Sequence, residues 1–293
     1  MAETLQMKTL FDPELVTGMF DKVKGKSSLA KLSSQMPIAF TGSEIFTFSM
    51  DDEVNLVAEG GVKKAGSVTV APVKMVPVKV EYGTRVTDEF LYASEEKKLE
   101  ILTAFSEGYA KKVARGLDIM AMHGINPRDK EVSATIGKNS FDTATGVTKV
   151  DYTAGNEEAV LETAAAAIGD YDVTGFTLAK SFGSELAKIK TNGVPQYPEF
   201  RFGASPAALG GIPCDVNSTV SFANEGAGYV GDFANAFKWG YAKEIPLEVI
   251  PYGDPDQSGA DLKAHNQVYL RAETYIGWGI LDPTAFSRII KQG

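Results

Sequence analysis

The chain has 293 residues, of which 44% are hydrophobic, so it can bury one large core or two modest ones. Its 10% aromatic and 23% charged residues argue against a disordered chain, and no apolar run approaches the roughly 20 residues of a membrane span. The formal net charge of −9 argues against a surface that grips nucleic acid, because phosphate binding needs clustered Lys and Arg.

The N-terminal residues 1–9 contain no apolar stretch like that of a secretory signal, so we expect the protein to stay where it is made. The single cysteine, Cys214, rules out an internal disulfide and fits a reducing cytoplasm. It lies where a loop leads into a strand, and no histidine is near it in sequence. We therefore interpret Cys214 as a small buried hydrophobe and not as a nucleophile.

Residues 1–41 combine short apolar patches with a small polar stretch at 24–28. Their spacing supports at best a short helix over residues 13–23. We predict an extended arm that is ordered by its neighbours and not by a core of its own. A floppy tail is the alternative.

Residues 42–82 are predicted to form one long β-ribbon. Apolar residues occupy the even positions of the outgoing arm (46–58) and of the return arm (68–80), on either side of a glycine-rich tip at 59–66. Pro72 and Pro77 cannot donate to a ladder, so the return arm should be an edge strand. Because an isolated two-stranded ribbon is marginal in water, this ribbon needs a partner surface.

The strongest helix pattern covers residues 94–123. Its apolar residues recur at steps of three and four: Leu99, Leu102, Phe105, Tyr109, Val113, Leu117 and Met120. Ser94 is the expected N-cap, and Gly124 and Pro127 stop the helix. A helix of this length is about 45 Å long and can act as a strut.

The other predicted elements, in chain order, are a hairpin or loose β-excursion (130–150), an alanine-rich helix (156–168), a strand (176–179), a helix (181–190), a loop (195–211), short strands to 249, a surface loop (254–259), and two adjacent strands (267–280 and 285–290). No internal repeat is visible. The predicted fold class is α+β.

One glycine motif invites a different interpretation. Gly226–Gly231 matches the G-x-G-x-x-G of dinucleotide-binding proteins, and Glu248 follows at about the distance of a ribose-binding acid. That fingerprint needs a buried apolar strand leading into the first glycine, but residues 222–225 are polar, and it needs a full helix afterwards, which Trp239 and Gly240 interrupt. We predict that no dinucleotide binds here.

Other catalytic and metal-binding patterns are missing from the sequence. His123 and His265 stand alone, with no H-E-x-x-H, C-x-x-C or G-x-S-x-G motif. We interpret His123 as a residue at a helix C-terminus that suits the helix dipole, not as a ligand. The acidic residues 51–53 lack the spacing of a calcium loop and are predicted to be a solvated bend. We therefore expect no enzyme activity, no cofactor and no metal.

Four segments together resemble the major capsid proteins of tailed bacteriophages. Residues 57–64 (Val-Ala-Glu-Gly-Gly-x-Lys-Lys), followed by an alternating valine strand, look like the extended loop of that family. Residues 87–91, leading into the long helix, are similar to the entry of its spine helix. Residues 231–236 and 282–286 resemble its strand turns. The resemblance covers nearly the whole chain.

The resemblance implies the Hong Kong 97 capsid fold and its domains. On that basis residues 1–42 are an N-terminal arm, 43–82 the extended loop, 83–151 with 244–293 a peripheral domain carrying the spine helix 94–123, and 152–243 an axial domain. Such subunits form hexamers and pentamers that close into an icosahedral shell around double-stranded DNA. The chain begins almost directly before the arm, so we expect any scaffolding to come from a separate protein or from a segment already removed. Portal and decoration proteins are further expected partners.

Two sets of contact residues follow from the resemblance. The loop tip, Glu59, Gly60, Gly61, Lys63 and Lys64, is expected to contact a neighbouring subunit. The type member of the family joins a loop lysine to an asparagine of a neighbour with the help of a glutamate.

The residue types of that cross-link recur here at Lys63 or Lys64, Asn266 and Glu273. Asn266 and Glu273 are an odd number of residues apart, so a regular strand would point them to opposite faces. We therefore do not expect a cross-link.

Two other functions remain as alternatives. An encapsulin, a bacterial compartment shell of the same fold, would enclose cargo protein in place of DNA. A nucleotide-binding enzyme, from a different class, would have to rest on Gly226–Gly231.

Overall fold

The computed structural model describes residues 27–50, 52–223, 226–244 and 247–292. The helix expected over residues 13–23 lies outside this range, as does Asp51. None of the described helices combines the length and the apolar character needed to cross a membrane.

Helices and sheets alternate irregularly along the chain, as an α+β fold requires. The α-helices are α1 (Ser28–Leu32), α2 (Glu89–Tyr92), α3 (Glu95–His123), α4 (Glu157–Ala166), α5 (Lys180–Leu186) and α6 (Phe233–Ala236), and 3₁₀ turns cover Pro198–Gly203, Lys263–His265 and Pro283–Ala285. The strands are β1 (Ser43–Met50), β2 (Val68–Met75), β3 (Val78–Thr87), β4 (Thr148–Tyr152), β5 (Gly175–Leu178), β6 (Lys190–Thr191), β7 (Val194–Pro195), β8 (Ala208–Leu209), β9 (Ile212–Val216), β10 (Gly226–Gly231), β11 (Phe237–Glu244), β12 (Glu248–Ile250), β13 (Gln267–Ile280) and β14 (Phe286–Lys291).

The long helix α3 has the predicted extent. The Ser94 side chain accepts a hydrogen bond from the Lys97 backbone N–H, and Gly124 ends the helix in a left-handed conformation with φ of 70°. The first two turns are largely exposed, and burial begins at Leu102. The helix is therefore a strut with one end embedded in the core and the other end projecting.

A four-stranded sheet is built around the long strand β13. The edge strand β3 pairs with β13 along its whole length, from Thr87 opposite Gln267 to Val78 opposite Ile276, and β11 and β12 share the other side of β13. Helix α3 contacts this sheet, where the Tyr109 hydroxyl donates to the Val80 carbonyl at 3.2 Å.

A six-stranded sheet has the order β4-β14-β10-β5-β9-β8. A continuous core runs beneath both sheets, and Phe141 lies in it, fully buried, with its ring 4.9 Å from that of Phe286 and 5.5 Å from that of Phe237. The segment 130–150 was expected to be a hairpin or loose β-excursion. Its residues 130–147 consist mainly of turns that insert this phenylalanine into the core, and its last three residues begin β4. A single β-bridge, Ile125 to Val132, is all the pairing that residues 130–147 have among the described residues.

The ribbon is shorter than predicted. Only β1 and β2 pair, from Ser43 opposite Met75 to Met50 opposite Val68, and residues 52–67 form no strand. The outgoing arm stops near the acidic residues 51–53, because charged and Gly-rich stretches have low strand propensity. The return arm is also shorter than predicted. Residues 78–80, which were expected to belong to it, are part of β3 and pair with β13 in the four-stranded sheet.

The two C-terminal strands are not adjacent, contrary to the prediction. The turn at 283–285 directs β14 into the six-stranded sheet, between β4 and β10, whereas β13 lies in the four-stranded sheet. The six-stranded sheet thus holds β4 and β14 from the proposed peripheral domain, and the four-stranded sheet holds β11 from the proposed axial domain. The predicted boundaries of the peripheral and axial domains stay a prediction.

The described part of the arm is ordered by contacts with the rest of the chain. Leu29 and Ala30 of α1 are fully buried, and Gln35 forms a β-bridge with Trp239. The root of the arm therefore has no core of its own, as predicted.

Candidate inter-subunit surface

One face of the β1–β2 ribbon is apolar and uncovered. Phe48 lies opposite Val70, and Met50 lies opposite Val68. Phe46 and Met50 keep 67% and 77% of their surface exposed, although both are large hydrophobic residues. Contiguous apolar surface of this kind marks a contact with another molecule.

The root of the ribbon is fixed to the body. Met75, the last residue of β2, is fully buried, and it packs so closely on β13 that a Cβ atom on Gly279 would lie 2.8 Å from its Cγ. The ribbon is therefore held at its root and uncovered along its length.

Residues 52–67 connect the two strands of the ribbon and include the tip. A hydrogen-bonded side chain closes this connection at its base. The Asp52 carboxylate accepts from the Ser67 backbone N–H at 2.6 Å and from the Ser67 hydroxyl at 2.7 Å. These two hydrogen bonds lower the pKa of Asp52. Among the described residues, no group of three or more His, Cys, Asp or Glu side chains could hold a metal ion. Asp52 lies at a bend, as predicted, and its carboxylate ties the two sides of this loop together.

A tight turn forms the end of the tip. The Gly61 N–H donates to the Ala58 carbonyl at 2.8 Å, and Gly60 has a φ of +79°, which most other residues resist. Gly61 has no positive φ. A Cβ atom there would lie 3.0 Å from the Ala58 carbonyl oxygen, so Gly61 is needed for space.

The charged residues of the tip are all exposed. Glu59, Lys63 and Lys64 face solvent, and neither lysine forms an ion pair or hydrogen bond within the described ranges. The tip is therefore a turn of fixed shape that carries two cations.

The predicted cross-link residues are not brought together within one chain. Asn266 is exposed in a left-handed conformation before β13, and its carbonyl accepts from the Asp88 N–H at 2.9 Å. The Glu273 carboxylate lies 2.9 Å from Lys79 Nζ, and this hydrogen bond raises the pKa of Lys79. Glu273 thus already has a cation of its own chain, and a link through Lys63 or Lys64 stays untested.

The glycine motif is a buried strand and not a phosphate-binding turn. Every residue of β10 is buried between β5 and β14. A Cβ atom on Gly228 would lie 3.1 Å from the Thr177 carbonyl oxygen, and one on Gly231 would lie 2.3 Å from that of Ala285. These glycines allow neighbouring strands to approach closely, which leaves no room for a dinucleotide.

The two strand turns noted in the sequence contact each other. Asp232 caps α6 by accepting from the Asn235 N–H at 3.1 Å, and its own N–H donates to the Ala285 carbonyl at 3.1 Å. Asp282 caps the other turn through the Thr284 N–H at 2.9 Å. Both motifs are thus parts of one junction between β10, β11, β13 and β14, which the sequence did not reveal.

Sequence reasoning missed a buried carboxylate at the root of the arm. Asp118, in α3, is fully buried and accepts hydrogen bonds from the Ser27 hydroxyl, from the Ser28 N–H at 2.9 Å and from the Thr219 hydroxyl at 3.0 Å. Burial raises the pKa of Asp118 to about 6, against the effect of these hydrogen bonds. One Asp in a helix pattern carries no signal that could have identified it.

His123 belongs to a second buried polar cluster. Its Nδ1 lies 2.8 Å from Asp142, and its Nε2 lies 2.8 Å from the Thr219 carbonyl oxygen. Because a carbonyl oxygen only accepts, the Nε2–H donates to Thr219. Burial acts to raise the pKa of Asp142, but His123, Tyr229 and Arg288 outweigh it, and the pKa is lowered. The interpretation of His123 as a simple helix-end residue is therefore incomplete.

The other singled-out residues have structural roles. Cys214 is buried in β9, and burial raises the pKa of its thiol to about 12, so it is the buried hydrophobe that was predicted. His265 is exposed, and its Nδ1 lies 2.8 Å from the Asp261 carbonyl oxygen.

Comparison with known proteins gives a consistent result. The family model "Phage capsid family" matches residues 9–289. Among solved structures, a chain of Mycobacterium phage Ogopogo is 29% identical, with a TM-score of 0.77, covering 91% of this chain and 92% of that one.

Other solved structures share the fold at lower identity. A chain of Gordonia phage Cozz is 23% identical with a TM-score of 0.74, covering 92% of this chain and 87% of that one. A chain of the capsid of a native GTA particle is 14% identical with a TM-score of 0.64, covering 100% and 94%. No curated protein matches the chain.

Proposed function

Since the chain belongs to the phage capsid family and is a major capsid shell protein, we propose that its copies form hexamers and pentamers that close into an icosahedral shell around double-stranded DNA. In general terms it is a structural, self-assembling component of a virion capsid. The observation that carries the proposal is the uncovered apolar face of the ribbon.

The ribbon acts as the contact between neighbouring copies. Its apolar face needs cover, its root is rigid, and its tip carries Lys63 and Lys64 in an acidic protein. A ribbon on one side of a subunit that lies on a different surface of the next copy is a head-to-tail contact, and such contacts form rings when the rotation between copies closes. The loop tip residues Glu59, Gly60 and Gly61 set the shape of that contact.

A shell that is assembled and then filled with DNA needs further partners. We propose assembly in the cytoplasm of the host bacterium, with scaffolding supplied by a separate protein or a removed segment, and with portal and decoration proteins joining the shell. The DNA is enclosed without sequence-specific binding. No cofactor takes part.

Electron microscopy and light scattering of the purified protein test this function. We expect capsomer rings or closed shells, because a free monomer would leave the ribbon face in water. A mass equal to one 31.4 kDa chain across a wide concentration range would contradict the proposal. Nuclease-protected DNA inside the particles would support a phage shell, whereas particles filled with cargo protein would indicate an encapsulin.

A further inference from the structure

We propose that the middle of α3 carries a site for the phosphate backbone of DNA, formed by Arg115 and Lys130 at the ring of Phe222 together with Lys111 and Lys112 on the preceding turn of α3. This set of residues is called the basic patch below. It deepens the proposed enclosure of DNA, on which it rests, by naming where the shell touches its contents. It also modifies the expectation from net charge that nucleic acid is enclosed but not held.

Two cations converge on one aromatic ring. The guanidinium carbon of Arg115 lies 5.2 Å from the centroid of the Phe222 ring, and Lys130 Nζ lies 5.0 Å from it. Lys111 and Lys112 precede Arg115 by four and three residues, so all three lie on neighbouring positions of one helix surface. Arg115 and Lys130 thus meet at one ring, and the exposed Lys111 and Lys112 extend the positive charge along the preceding turn of α3.

The basic patch shares with the tip lysines Lys63 and Lys64 the lack of an ion-paired carboxylate among the described residues. Seven other lysines of the described chain form ion pairs with carboxylates: Lys31, Lys74, Lys79, Lys97, Lys98, Lys149 and Lys188. Within the described ranges, no ion pair involves a residue of the basic patch. The nearby Asp129 is used inside its own loop, where it accepts from Asn126 and from the Glu131 N–H at 2.7 and 2.9 Å. Mutual repulsion of the four cations is relieved when an anion binds.

The loop that supplies Lys130 holds an unfavourable conformation. Lys130 has a φ of 65°, a region that a residue with a side chain rarely adopts, and its N–H donates to the Asn126 carbonyl at 2.9 Å. A residue kept in such a conformation is often one whose side chain has a specific task. Here the conformation belongs to a loop whose lysine reaches the Phe222 ring.

The turn that carries Phe222 is fixed to α3 by buried hydrogen bonds. Thr219 donates its hydroxyl to Asp118 and accepts at its carbonyl from His123, and the Arg115 guanidinium donates to the Ser218 hydroxyl at 2.9 Å. The Phe222 N–H in turn donates to the Thr219 carbonyl at 3.2 Å. Asp118 and His123 therefore hold the Phe222 turn beside α3, which limits the reordering of that turn when an anion binds.

A repeating polyanion fits this arrangement better than a single carboxylate. The charges are spread over a turn of helix and an adjoining loop, and none of them forms a closed pocket. Lysines bind phosphates as point charges, without reading bases, so the binding would be independent of sequence and sensitive to salt.

The test is the binding of a short fluorescein-labelled DNA duplex to the unassembled full-length chain, followed by anisotropy over a series of NaCl concentrations. Four phosphate contacts predict a slope of log K against log salt of about −3.6. The variant Lys111→Gln/Lys112→Gln/Lys130→Gln should reduce the slope to about −1, since each phosphate contact contributes roughly one. The control Lys74→Gln/Lys97→Gln/Lys188→Gln removes the same charge from ion-paired lysines and should leave the slope unchanged.

A second variant separates position from charge. Phe222→Leu keeps the net charge and should weaken duplex binding, while its circular dichroism stays that of the unchanged protein. Equal slopes for the patch variant and the original protein would overturn the proposal. So would tighter binding of polyglutamate than of the duplex at equal charge and equal salt, which would assign the basic patch to an acidic protein segment. Shells seen by electron microscopy without duplex binding would refute the basic patch and leave the capsid function intact.

Discussion

Phe48 and Val70 lie directly opposite each other across the two-stranded ribbon, and each keeps more than half of its surface in solvent, 60% and 55%. A cross-strand apolar pair of this kind usually stabilises a sheet because other core side chains pack over it. Here nothing of the described chain covers it, so the pair contributes to assembly more than to the stability of the subunit.

The first prediction follows from this pair. Phe48→Ser/Val70→Ser should leave the free energy of unfolding of the subunit within about 0.5 kcal/mol, because substitutions at exposed positions have small effects. The same variant should abolish or strongly reduce shells in electron micrographs. Leu99→Ser is the control. It replaces a half-exposed apolar residue of α3, outside the ribbon. Normal shell yield from the ribbon variant would refute its role.

The second prediction concerns the charges of the tip. Lys63→Glu/Lys64→Glu should keep the circular dichroism of the subunit and block or weaken shell formation, because the tip cations would face carboxylates of a neighbour. High salt should loosen shells of the unchanged protein for the same reason. Lys138→Glu/Lys190→Glu is the matched control, since both lysines are exposed outside the tip. If the tip variant assembles with unchanged yield and salt tolerance, the tip lysines are ordinary surface residues.

The third prediction concerns the close contact between Gly231 and Ala285. Gly231→Ala should destabilise the subunit by about 1–3 kcal/mol or more, because its Cβ would overlap a backbone oxygen that cannot move freely. Gly108→Ala is the matched control. It lies in α3 with nothing near the added atom, and it should stabilise the chain by about 0.5–1 kcal/mol. Urea unfolding of the unassembled subunit measures both, and similar effects of the two changes would contradict the packing argument.

The fourth prediction is a pH dependence at Asp118. Burial raises its folded-state pKa from the ordinary 3.8 to about 6, so the folded chain keeps this proton over a pH range in which the unfolded chain has lost it. The contribution of Asp118 to stability is therefore complete below pH 3.8 and is lost as the pH rises through 6, by about 3 kcal/mol at most.

The variant Asp118→Asn cannot titrate. The stability of the original protein relative to this variant should therefore fall between pH 4 and pH 7, as measured by urea unfolding at each pH. Asp172→Asn, at an exposed carboxylate, is the control for an Asp-to-Asn substitution outside the core. A constant difference for Asp118→Asn would show that its carboxyl has an ordinary pKa.

The fifth prediction concerns covalent linkage between subunits. Glu273 is already paired with Lys79, so it is poorly placed to take a proton from an incoming lysine. We expect boiled mature particles to give monomer bands on a denaturing gel. Ladders of multiples that disappear in Asn266→Ala would contradict this.

The sequence by itself determined the elements whose signals are local. The period of the apolar residues and the caps at Ser94 and Gly124 predicted α3 to within a residue, and the strand predicted over 267–280 has the bounds of β13. The polar context of Gly226–Gly231 was enough to reject a dinucleotide site. These features depend on neighbours within a few residues, so they can be found without knowing the fold.

Only the tertiary structure decided which strands pair and which buried polar groups meet. Val78 and Val80 continue the alternation of the ribbon, yet they pair with β13, because strand pairing depends on partners far along the chain. The same is true of Asp118, which meets Ser28 across 90 residues, and of Arg115 and Lys130, which meet at Phe222. The stability of these contacts depends on burial and on charges that the fold brings together. The order of residues along the chain does not show which distant residues will meet.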